Sequence, residues 1–501
     1  MRVRAAPGLA CLRRASLLCG LAAALAGCDL APHRVMPVVS IPASYTEAAS
    51  WHVAVPADRL DAGHWWTLYG DAELDRLEAR LEPDSPDLAA SLASFGRARA
   101  FAAEAEAGLF PTVSVGGQIQ TDRQSNRRPR RGRGQPNQYL NNGIDAQAVY
   151  EIDLWHRVAN EVKAGRASAE ASAADLATVR LSLEAELADD MLILRGLDAQ
   201  AGVLSRTEAT YRQALALTQN RFAGKIASGQ DVSRAQTQLD DASAQVADVA
   251  SRRALMQHAI ATLVGLAPEQ LSIPPETVLL RLPLIATGLP SSLLQRRPDI
   301  ASAERQMVAA NATIGVARAA FYPTVSLDLV YGLVASSFNI FSLPDSFWAL
   351  GPGLTMPLFE GGLRRAEESG AVEAYHLAVA NYRGTVLRAF GEVEDSLSQI
   401  EWLGREARDE AGAATAAGQT EAMATNLYKD GASSYLEVVT AQTAALQAER
   451  AVIDLRTRRL EASVALIRAL GGGWTRHDLP DTKGLSTAAQ GTAGPGPGKQ
   501  G

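Results

Sequence analysis

The sequence predicts a mainly α-helical protein that also carries a few β-strands suited to a membrane, and three observations support this fold class. Long stretches such as residues 157–220 are rich in Ala, Glu, Arg and Gln and contain no proline. Two short segments, "AGLFPTVSVGGQI" at 107–119 and "RAAFYPTVSLDLV" at 318–330, alternate polar and apolar residues, as membrane strands do. These two segments resemble each other closely, so the chain is predicted to consist of two similar halves.

The similarity between the halves extends beyond the strand segments. Pro86 precedes the first copy and Pro298 the second, 212 positions later, and each is followed by Asp. Pro fits the first position of a helix and Asp favours the positive end of its dipole, so each pair is predicted to begin a helix. Further along, residues 220–239 match residues 426–445 as a Gly-containing turn leading into another helix. Each half is therefore predicted as helix, two strands, long helix, turn and long helix, which indicates an ancient duplication.

Five segments follow from this pattern. They are a signal peptide (1–27), a lipidated, extended N-terminal wrap (28–85), a first repeat (86–285), a second repeat (286–474) and a disordered, low-complexity tail (475–501). The wrap is predicted from residues 29–75, which are rich in Pro and Trp. The strands are predicted at about 111–121 and 143–155 in the first repeat, and at about 323–333 and 346–358 in the second.

The N-terminus has the features of a lipoprotein export signal. Four arginines precede or flank an apolar core at 15–26, and "LAGC" at 25–28 closes it with small residues. An uncleaved membrane anchor is disfavoured, because about a dozen apolar residues are too few to span roughly 30 Å of hydrocarbon. Leu-Ala-Gly-Cys matches the bacterial lipobox, so Cys28 is predicted to become the first residue and to carry N-palmitoyl and S-diacylglycerol groups.

Cysteine usage excludes several classes of site. All three cysteines, Cys11, Cys19 and Cys28, lie in the N-terminal segment, so the mature chain is expected to contain no disulfide framework and no zinc site. The only expected cofactor is the covalent lipid on Cys28. No later apolar stretch reaches about 18 residues, so entry into a membrane would require strands.

Charge and residue patterns argue against nucleic-acid binding and catalysis. The net charge is −7, whereas phosphate binding needs a basic face. The one basic stretch, "RRPRRGRG" at 127–134, is predicted as an exposed loop, with a nucleic-acid arm as the minor alternative. The seven histidines show no ligand spacing and no glycine loop is suited to phosphates. We therefore expect no catalytic residues, no metal site and no enzyme.

Geometry constrains how such strands could enter a membrane. Four strands cannot close a barrel, since small barrels need about eight, and open edges in lipid cost several kcal/mol per unpaired group. Several identical chains would therefore share one barrel, and three chains with twelve strands would leave an open lumen. The long helices, of roughly 60 residues, would reach about 90 Å and pack side by side. From the strands alone, a half-buried sheet of a soluble domain stays an equal alternative.

Several stretches match a known family. The longest is "GLPSSLLQRRPDIASAERQMVAANATIGVARAAFYPTVSL" at 288–327, and shorter ones are "AEAGLFPTVS" (105–114), "YEIDLWHRV" (150–158), "PLFEGGLRR" (357–365) and "ALGGGW" (469–474). In these stretches the chain closely resembles the outer membrane factor lipoproteins of tripartite efflux pumps, the OprM and NodT-type relatives of TolC. The resemblance implies a TolC-like homotrimer in the outer membrane. Its twelve-stranded β-barrel would continue into a long periplasmic α-helical barrel with a mixed α/β equatorial belt.

The resemblance also implies partners and cargo. It would place a periplasmic adaptor protein and an inner-membrane, proton-driven RND transporter below the channel, with drugs or other small compounds passing outward. Two alternatives stay open: a TolC-like channel for ATP-driven type I secretion, and a pore-less periplasmic coiled-coil scaffold lipoprotein. Asp29 follows the lipidated cysteine, and in enteric bacteria that residue tends to hold lipoproteins at the inner membrane. We nevertheless expect the outer membrane.

The same resemblance implies a gate and a docking tip at the two far-end turns. Relatives constrict their aperture with a Leu and an Asp; here the Leu is Leu436, but the Asp position is Thr440. An acidic ring is therefore not expected at that level. The predicted aperture residues are Tyr428, Lys429, Leu436 and Thr440, and the predicted adaptor-docking residues are Phe222, Gly224, Gly229, Asp231, Gly431 and Tyr435. Ordinary helix-turn contacts are the alternative role for these residues.

Overall fold

The structure is a computed structural model that describes residues 29–33, 37–38, 40–42, 44–47, 64–127, 134, 136–276, 280–283, 285, 290–338 and 341–479. The predicted signal peptide, Cys28, most of the basic loop at 127–134 and all but five residues of the predicted tail lie outside the described residues. Predictions about them are therefore not tested by the fold.

The described part of the first half contains four helices and two strands. They are α1 (Ala72–Asp84), α2 (Pro86–Ala107), β1 (Thr112–Arg123), β2 (Gln138–Glu151), α3 (Arg157–Ala223) and α4 (Gly229–Leu263). Short 3₁₀ helices lie at Trp65–Tyr69 and Pro268–Gln270. At about 1.5 Å per residue, the 67 residues of α3 give a rod of about 100 Å.

In the described residues, the second half repeats this order without a counterpart of α1. Its elements are α5 (Pro298–Ala319), β3 (Thr324–Ala335), β4 (Ser346–Thr355), α6 (Leu363–Lys429) and α7 (Tyr435–Ala469). One helical turn at Leu293–Arg296 and 3₁₀ helices at Pro290–Ser292, Leu343–Asp345 and Arg476–Asp478 complete it. Lengths agree between the halves: α2 and α5 have 22 residues, α3 and α6 have 67, and α4 and α7 have 35.

The predicted extended wrap is wrong over its last third. Residues 65–69 form a 3₁₀ helix and residues 72–84 form α1. Asp71 begins α1, because its carboxylate accepts hydrogen bonds from the backbone N–H groups of Glu73 and Leu74. Leu74, Leu77 and Leu81 then recur at helical spacing and are buried. This amphipathic pattern was not recognised in the sequence, because the residues before Asp71 are rich in Pro and Trp.

The four predicted strands are present; the bounds of β1 and β3 agree with the prediction to within two residues, and those of β2 and β4 differ by more. β2 begins earlier than predicted, because residues 138–142 pair with the end of β1, and it also ends earlier. It stops at Glu151 because Asp153 caps the next helix, accepting from the backbone N–H groups of Val158 and Ala159. β4 ends at Thr355, two residues before Pro357, which has no N–H to donate.

The strands form one antiparallel sheet in the order β1-β2-β3-β4. The halves meet in its centre, where β2 of the first pairs with β3 of the second. Among the described strands, β1 and β4 therefore each have a strand partner on one side only. Pro352 lies in β4, opposite Leu327, as expected for proline on the edge strand of a sheet.

Helix packing interlocks the halves. The long helix α3 of the first half contacts α2, α4, α5 and α7, and α5 of the second half lies against both α3 and α6. The main hydrophobic core lies at mid-length of the long helices, where α1 and the 3₁₀ helix at Trp65–Tyr69 cover them. Among the helices that the structure describes, none has the length and apolar character needed to cross a membrane.

A buried ionic network fastens the start of α1 to this core. Arg195 of α3 donates from Nε to Asp71 at 2.8 Å and lies within 3.4 Å of Asp198. Asp198 also accepts from Arg253 of α4 at 2.5 Å. Because each buried charge has an opposite partner, the desolvation cost of burying these groups is offset.

Candidate channel gate and membrane sheet

The turns of the two halves come together at the end of the helices far from the sheet. Arg221, in the last turn of α3, donates from Nη1 to the carbonyl of Tyr428 at 2.7 Å and from Nη2 to that of Lys429 at 2.6 Å. Both carbonyls belong to the end of α6, where the regular helical hydrogen bonds run out; that of Tyr428 also accepts from the Gly431 N–H at 3.1 Å. The guanidinium of Arg221 also lies over the Tyr428 ring, 4.5 Å from its centroid.

Both turns use the same backbone motif, which ends a helix with one left-handed residue. In the first turn Ile226 N–H donates to the carbonyl of Arg221, and in the second Ala432 N–H donates to that of Leu427. The left-handed residues are Lys225, with φ 59°, and Gly431, with φ 79°. This is the Schellman arrangement. Gly224 has φ −79°, so it is not the residue that reverses the chain.

Asp231 has a structural partner within its own turn. Its backbone N–H donates to Ser228 Oγ at 3.2 Å, and its carboxylate accepts from Ser228 N–H at 3.1 Å. This reciprocal capping box begins α4. In the second turn Ser434 occupies the matching position, but its side chain does not cap the helix. Its neighbour Ser433 instead donates to Glu437, in the first turn of α7, at 2.6 Å. Gly229 is the first residue of α4, beside the capping serine.

A small hydrophobic cluster lies beneath the turns. The rings of Tyr428 and Tyr435 are 5.2 Å apart and both are buried. They pack with Leu215, Ala235 and Val438, which joins both halves. Burial raises the pKa of Tyr435 to about 12. These two tyrosines are therefore packing residues within the chain, in addition to their predicted roles at the aperture and the docking tip.

The other predicted aperture residues face outward. Leu436 has 49% of its surface exposed, and Lys429 and Thr440 are exposed as well. Thr440 Oγ1 donates to the carbonyl of Leu436 at 2.9 Å, so its hydroxyl is engaged within the helix. Phe222, with 52% of its surface exposed, presents an apolar ring at the tip. Lys429, Leu436, Thr440 and Phe222 are thus available to another chain, and their roles stay predictions.

The sheet has an apolar face that the described residues of the chain leave exposed. Large exposed side chains lie on it in three strands: Val113, Val115, Ile119, Leu327, Leu329, Tyr331, Trp348, Leu350 and Leu354. The register aligns them in rows, since Leu329 lies opposite Leu350 and Tyr331 opposite Trp348. Such an exposed apolar surface marks an interaction site, and the alternating pattern with polar residues between is typical of strands that face lipid.

The described residues that follow the predicted lipid site are tied to the helical body. Asn160 of α3, 2% exposed, donates to Asp29 Oδ1 at 3.0 Å, and Asn311 of α5, 4% exposed, donates to the carbonyl of Pro32 at 3.0 Å. Gly315 leaves room for this segment, because a Cβ there would lie 2.9 Å from Ala31 Cβ. Burial favours the neutral form of Asp29, but hydrogen bonds from Asn160 and Ala31 outweigh it and lower its pKa.

Sequence reasoning missed the residues that organise the tip, above all Arg221, Lys225 and Ser228. One signal could have found Lys225: the 206-residue offset between the halves aligns it with Gly431. Arg221 carries no such signal, because its partners lie more than 200 residues away in sequence. Within the described part of the chain, no group of three or more His, Cys, Asp or Glu side chains is arranged to hold a metal ion.

Long paired helices, an open-edged sheet with an exposed apolar face and a shared far-end tip define an outer membrane channel protein. The family described as outer membrane efflux protein matches residues 79–266 and 289–472, one range in each half, and the chain belongs to this family. The protein is therefore located in the outer membrane. Its family consists of channel proteins rather than enzymes.

Individual relatives agree with this assignment. The chain is 34% identical over 452 residues to the pyoverdine export outer membrane protein OpmQ of Pseudomonas putida, covering 85% of this chain and 92% of that one. It is 31% identical to the outer membrane protein OprJ of Pseudomonas aeruginosa, covering 91% and 95%. The solved outer-membrane channel OprN matches with a TM-score of 0.82 and 27% identity, covering 89% of this chain and 100% of that chain.

Proposed function

We propose that three copies of this chain form the outer membrane channel of a tripartite efflux system that exports small compounds. Each copy supplies four strands to a twelve-stranded barrel and its long helices to a periplasmic tunnel. The tip docks onto a periplasmic adaptor, and an inner-membrane, proton-driven RND transporter supplies the cargo. Lipid on Cys28 anchors each copy, and no further cofactor takes part.

The open edges of the sheet are the observation that carries this proposal. β1 and β4 each leave one edge without a strand partner in the described chain, while their apolar faces are exposed. An open edge in hydrocarbon leaves backbone N–H and C=O groups unsatisfied. Pairing β1 of one copy with β4 of the next removes every edge, and three copies give the smallest such closure with an open lumen. A pore-less scaffold would leave this sheet unexplained.

The relatives favour efflux over protein secretion as the transport class. One is described as a pyoverdine exporter, and others as antibiotic or toluene efflux proteins. We infer that this chain likewise passes small compounds of the kinds named for these relatives. An ATP-driven secretion channel is the second candidate, because a wide tunnel alone does not decide the cargo.

Two experiments test the proposal. The purified, lipidated chain should migrate as a trypsin-resistant trimer in detergent and should show single-channel conductance in planar bilayers. A stable monomer without conductance would overturn the channel. Deleting the gene should increase susceptibility to a panel of antibiotics, dyes and solvents, and complementation should restore it only when an adaptor and a proton-driven transporter are present. Restoration with an ATP-driven exporter instead would assign the chain to secretion.

Acylation needs its own test. Mass spectrometry of the purified protein should show a diacylglycerol and a palmitoyl group on Cys28 as the first residue. Cys28→Ser should abolish both and leave the chain soluble in the periplasm or loosely held. Unmodified Cys28 within an uncleaved signal would contradict the lipid anchor without affecting the channel proposal.

A further inference from the structure

A carboxyl group without a hydrogen-bond partner is buried where α1 packs on the helical body. Glu78 is 4% exposed, and neither of its carboxyl oxygens has a hydrogen-bond partner among the described residues. It lies one helical turn after Leu74 and one before Leu81, on the face of α1 that packs against α3. A charged carboxylate in such a place would have a large desolvation cost.

The groups that face Glu78 make ionisation still less favourable. The Glu184 carboxylate of α3 disfavours a charge on Glu78, and its Oε2 accepts from Trp65 Nε1 at 3.3 Å. Asp75 approaches from one turn earlier on α1, and its own Oδ1 is buried without a partner. No cation faces Glu78 from the 3₁₀ helix at Trp65–Tyr69, which contains no charged residue.

The cations nearby are engaged elsewhere. On α3, Arg180 is bonded to Glu82 and Arg195 to Asp71. On α1, Arg76 pairs with Glu73 and Arg80 with Asp84. These arginines are thus occupied, and no described residue forms a hydrogen bond with the Glu78 carboxyl oxygens. A proton is the ligand that this arrangement can accept.

We propose that the interface between α1 and α3 is a proton-binding site, in which a proton on Glu78 allows α1 to dock and acidification tightens that docking. The site adds a pH-dependent contact to the belt of the channel. This inference does not depend on which transporter the channel serves.

The sign of the pH dependence follows from where the proton is held. Burial, together with the Glu184 and Asp75 carboxylates, raises the pKa of Glu78 from 4.5 to about 10. Burial raises the pKa of Glu184 to about 7, against the hydrogen bond from Trp65 and the charge of Arg180. Between the ordinary pKa of 4.5 and each of these raised values, the docked state holds a proton that the undocked state has released. Docking is therefore strongest below the undocked pKa and weakens as pH rises toward the docked pKa values.

Hydrogen–deuterium exchange of the full chain in lipid nanodiscs tests this site. Peptides covering residues 72–84 should be better protected at about pH 5.5 than at about pH 8, after correction for intrinsic exchange, by up to about tenfold per pH unit for one proton. Glu78→Gln keeps the shape of the side chain but cannot ionise, so it should flatten most of this pH dependence. If Glu78→Gln instead lowers protection equally at every pH and leaves the pH dependence unchanged, the proposal is overturned.

The matched control is Asp84→Asn on the same helix. The Asp84 side chain is 39% exposed and paired with Arg80, so this variant should keep the pH dependence of the natural chain. Equal flattening by both substitutions would assign the effect to surface charge and overturn the buried site. If Glu78→Gln fails to assemble, Glu184→Gln should still weaken the dependence between about pH 5 and about pH 7; no change in that variant would also overturn the proposal.

Discussion

Arg221 of the first half lies over the ring of Tyr428 of the second half, with its guanidinium carbon 4.5 Å from the ring centroid. The same guanidinium bonds the carbonyls of Tyr428 and Lys429. One side chain thus bonds the last turn of α6 in the other half and holds the two turns together. The tip is therefore a single unit, although its parts are about 200 residues apart in sequence.

Arg221→Ala should loosen the tip without unfolding the body. Charge-assisted hydrogen bonds of this kind contribute about 1.5–3 kcal/mol each, and their loss leaves the Tyr428 carbonyl with the Gly431 N–H alone and removes the bond to the Lys429 carbonyl. Hydrogen exchange in residues 215–240 and 425–440 should rise, while exchange at mid-length of α3 stays unchanged. Arg206→Ala is the control, since its ion pair with Glu449 is exposed on both sides and should contribute less than about 1 kcal/mol. Equal effects of the two substitutions would contradict the assigned role.

Leu436→Ser should raise single-channel conductance and the entry of antibiotics into cells. Leu436 is half exposed at the start of α7, and in a closed trimer its counterparts would pack against each other around the aperture. Replacing three apolar side chains with small polar ones removes that apolar contact. Leu255→Ser, at another exposed leucine on α4, should leave conductance at the natural value. Wild-type conductance and wild-type susceptibility in Leu436→Ser would show that the gate lies elsewhere.

Leu329→Arg should reduce the amount of trimer in the outer membrane. Leu329 lies at the middle of β3 on the exposed apolar face, where a lipid-facing arginine costs about 2–4 kcal/mol. Leu327→Arg and Ile152→Arg should have smaller effects, because both positions lie near the end of the sheet from which the helices leave. Gln118→Arg, on the polar face of β1, is the control. Quantitative immunoblots of unheated membranes measure the trimer, and equal levels in all four variants would contradict the predicted lipid face.

Local periodicity allowed most elements to be predicted. The strands alternate with period two, and Pro86 and Pro298 mark two helix starts that the structure confirms. α1 was missed because its row of buried leucines is short and follows a segment rich in Pro and Trp. The left-handed Lys225 was missed because a non-glycine residue in that conformation has no local signature.

Long-range partnerships could not be predicted from one sequence. Arg221, Asn160 and Glu78 owe their roles to side chains on other elements, and no periodic pattern identifies such partners. The sequence did reveal the two turns and the residues around them, because the halves align there. The sequence could not show that Tyr428 and Tyr435 are buried whereas Leu436 is exposed, because all three lie within one short motif.

Gly471→Ala should prevent assembly, and the structure explains why the "ALGGGW" motif needs glycine. Gly471 has φ +93°, and a Cβ there would lie 2.0 Å from the carbonyl oxygen of Arg296. Gly361→Ala is a matched control, because Gly361 also has a positive φ but open space around its Cβ position. The control should cost only about 1 kcal/mol of backbone strain. Comparable amounts of folded protein from both variants would show that the contact with Arg296 gives way easily.

The tie between Asn160 and Asp29 should be measurable as a coupling energy. Asn160→Asp places a carboxylate beside that of Asp29, so the temperature at which the trimer dissociates should fall. Adding Asp29→Asn should restore it, because an amide then donates to a carboxylate again with the roles exchanged. Such paired groups typically couple by about 0.5–3 kcal/mol in a double-mutant cycle. Asn220→Asp, the same change at the far end of α3, controls for added charge. Strictly additive effects would mean that the segment behind the lipid anchor is held by Asn311 and packing around Gly315 alone.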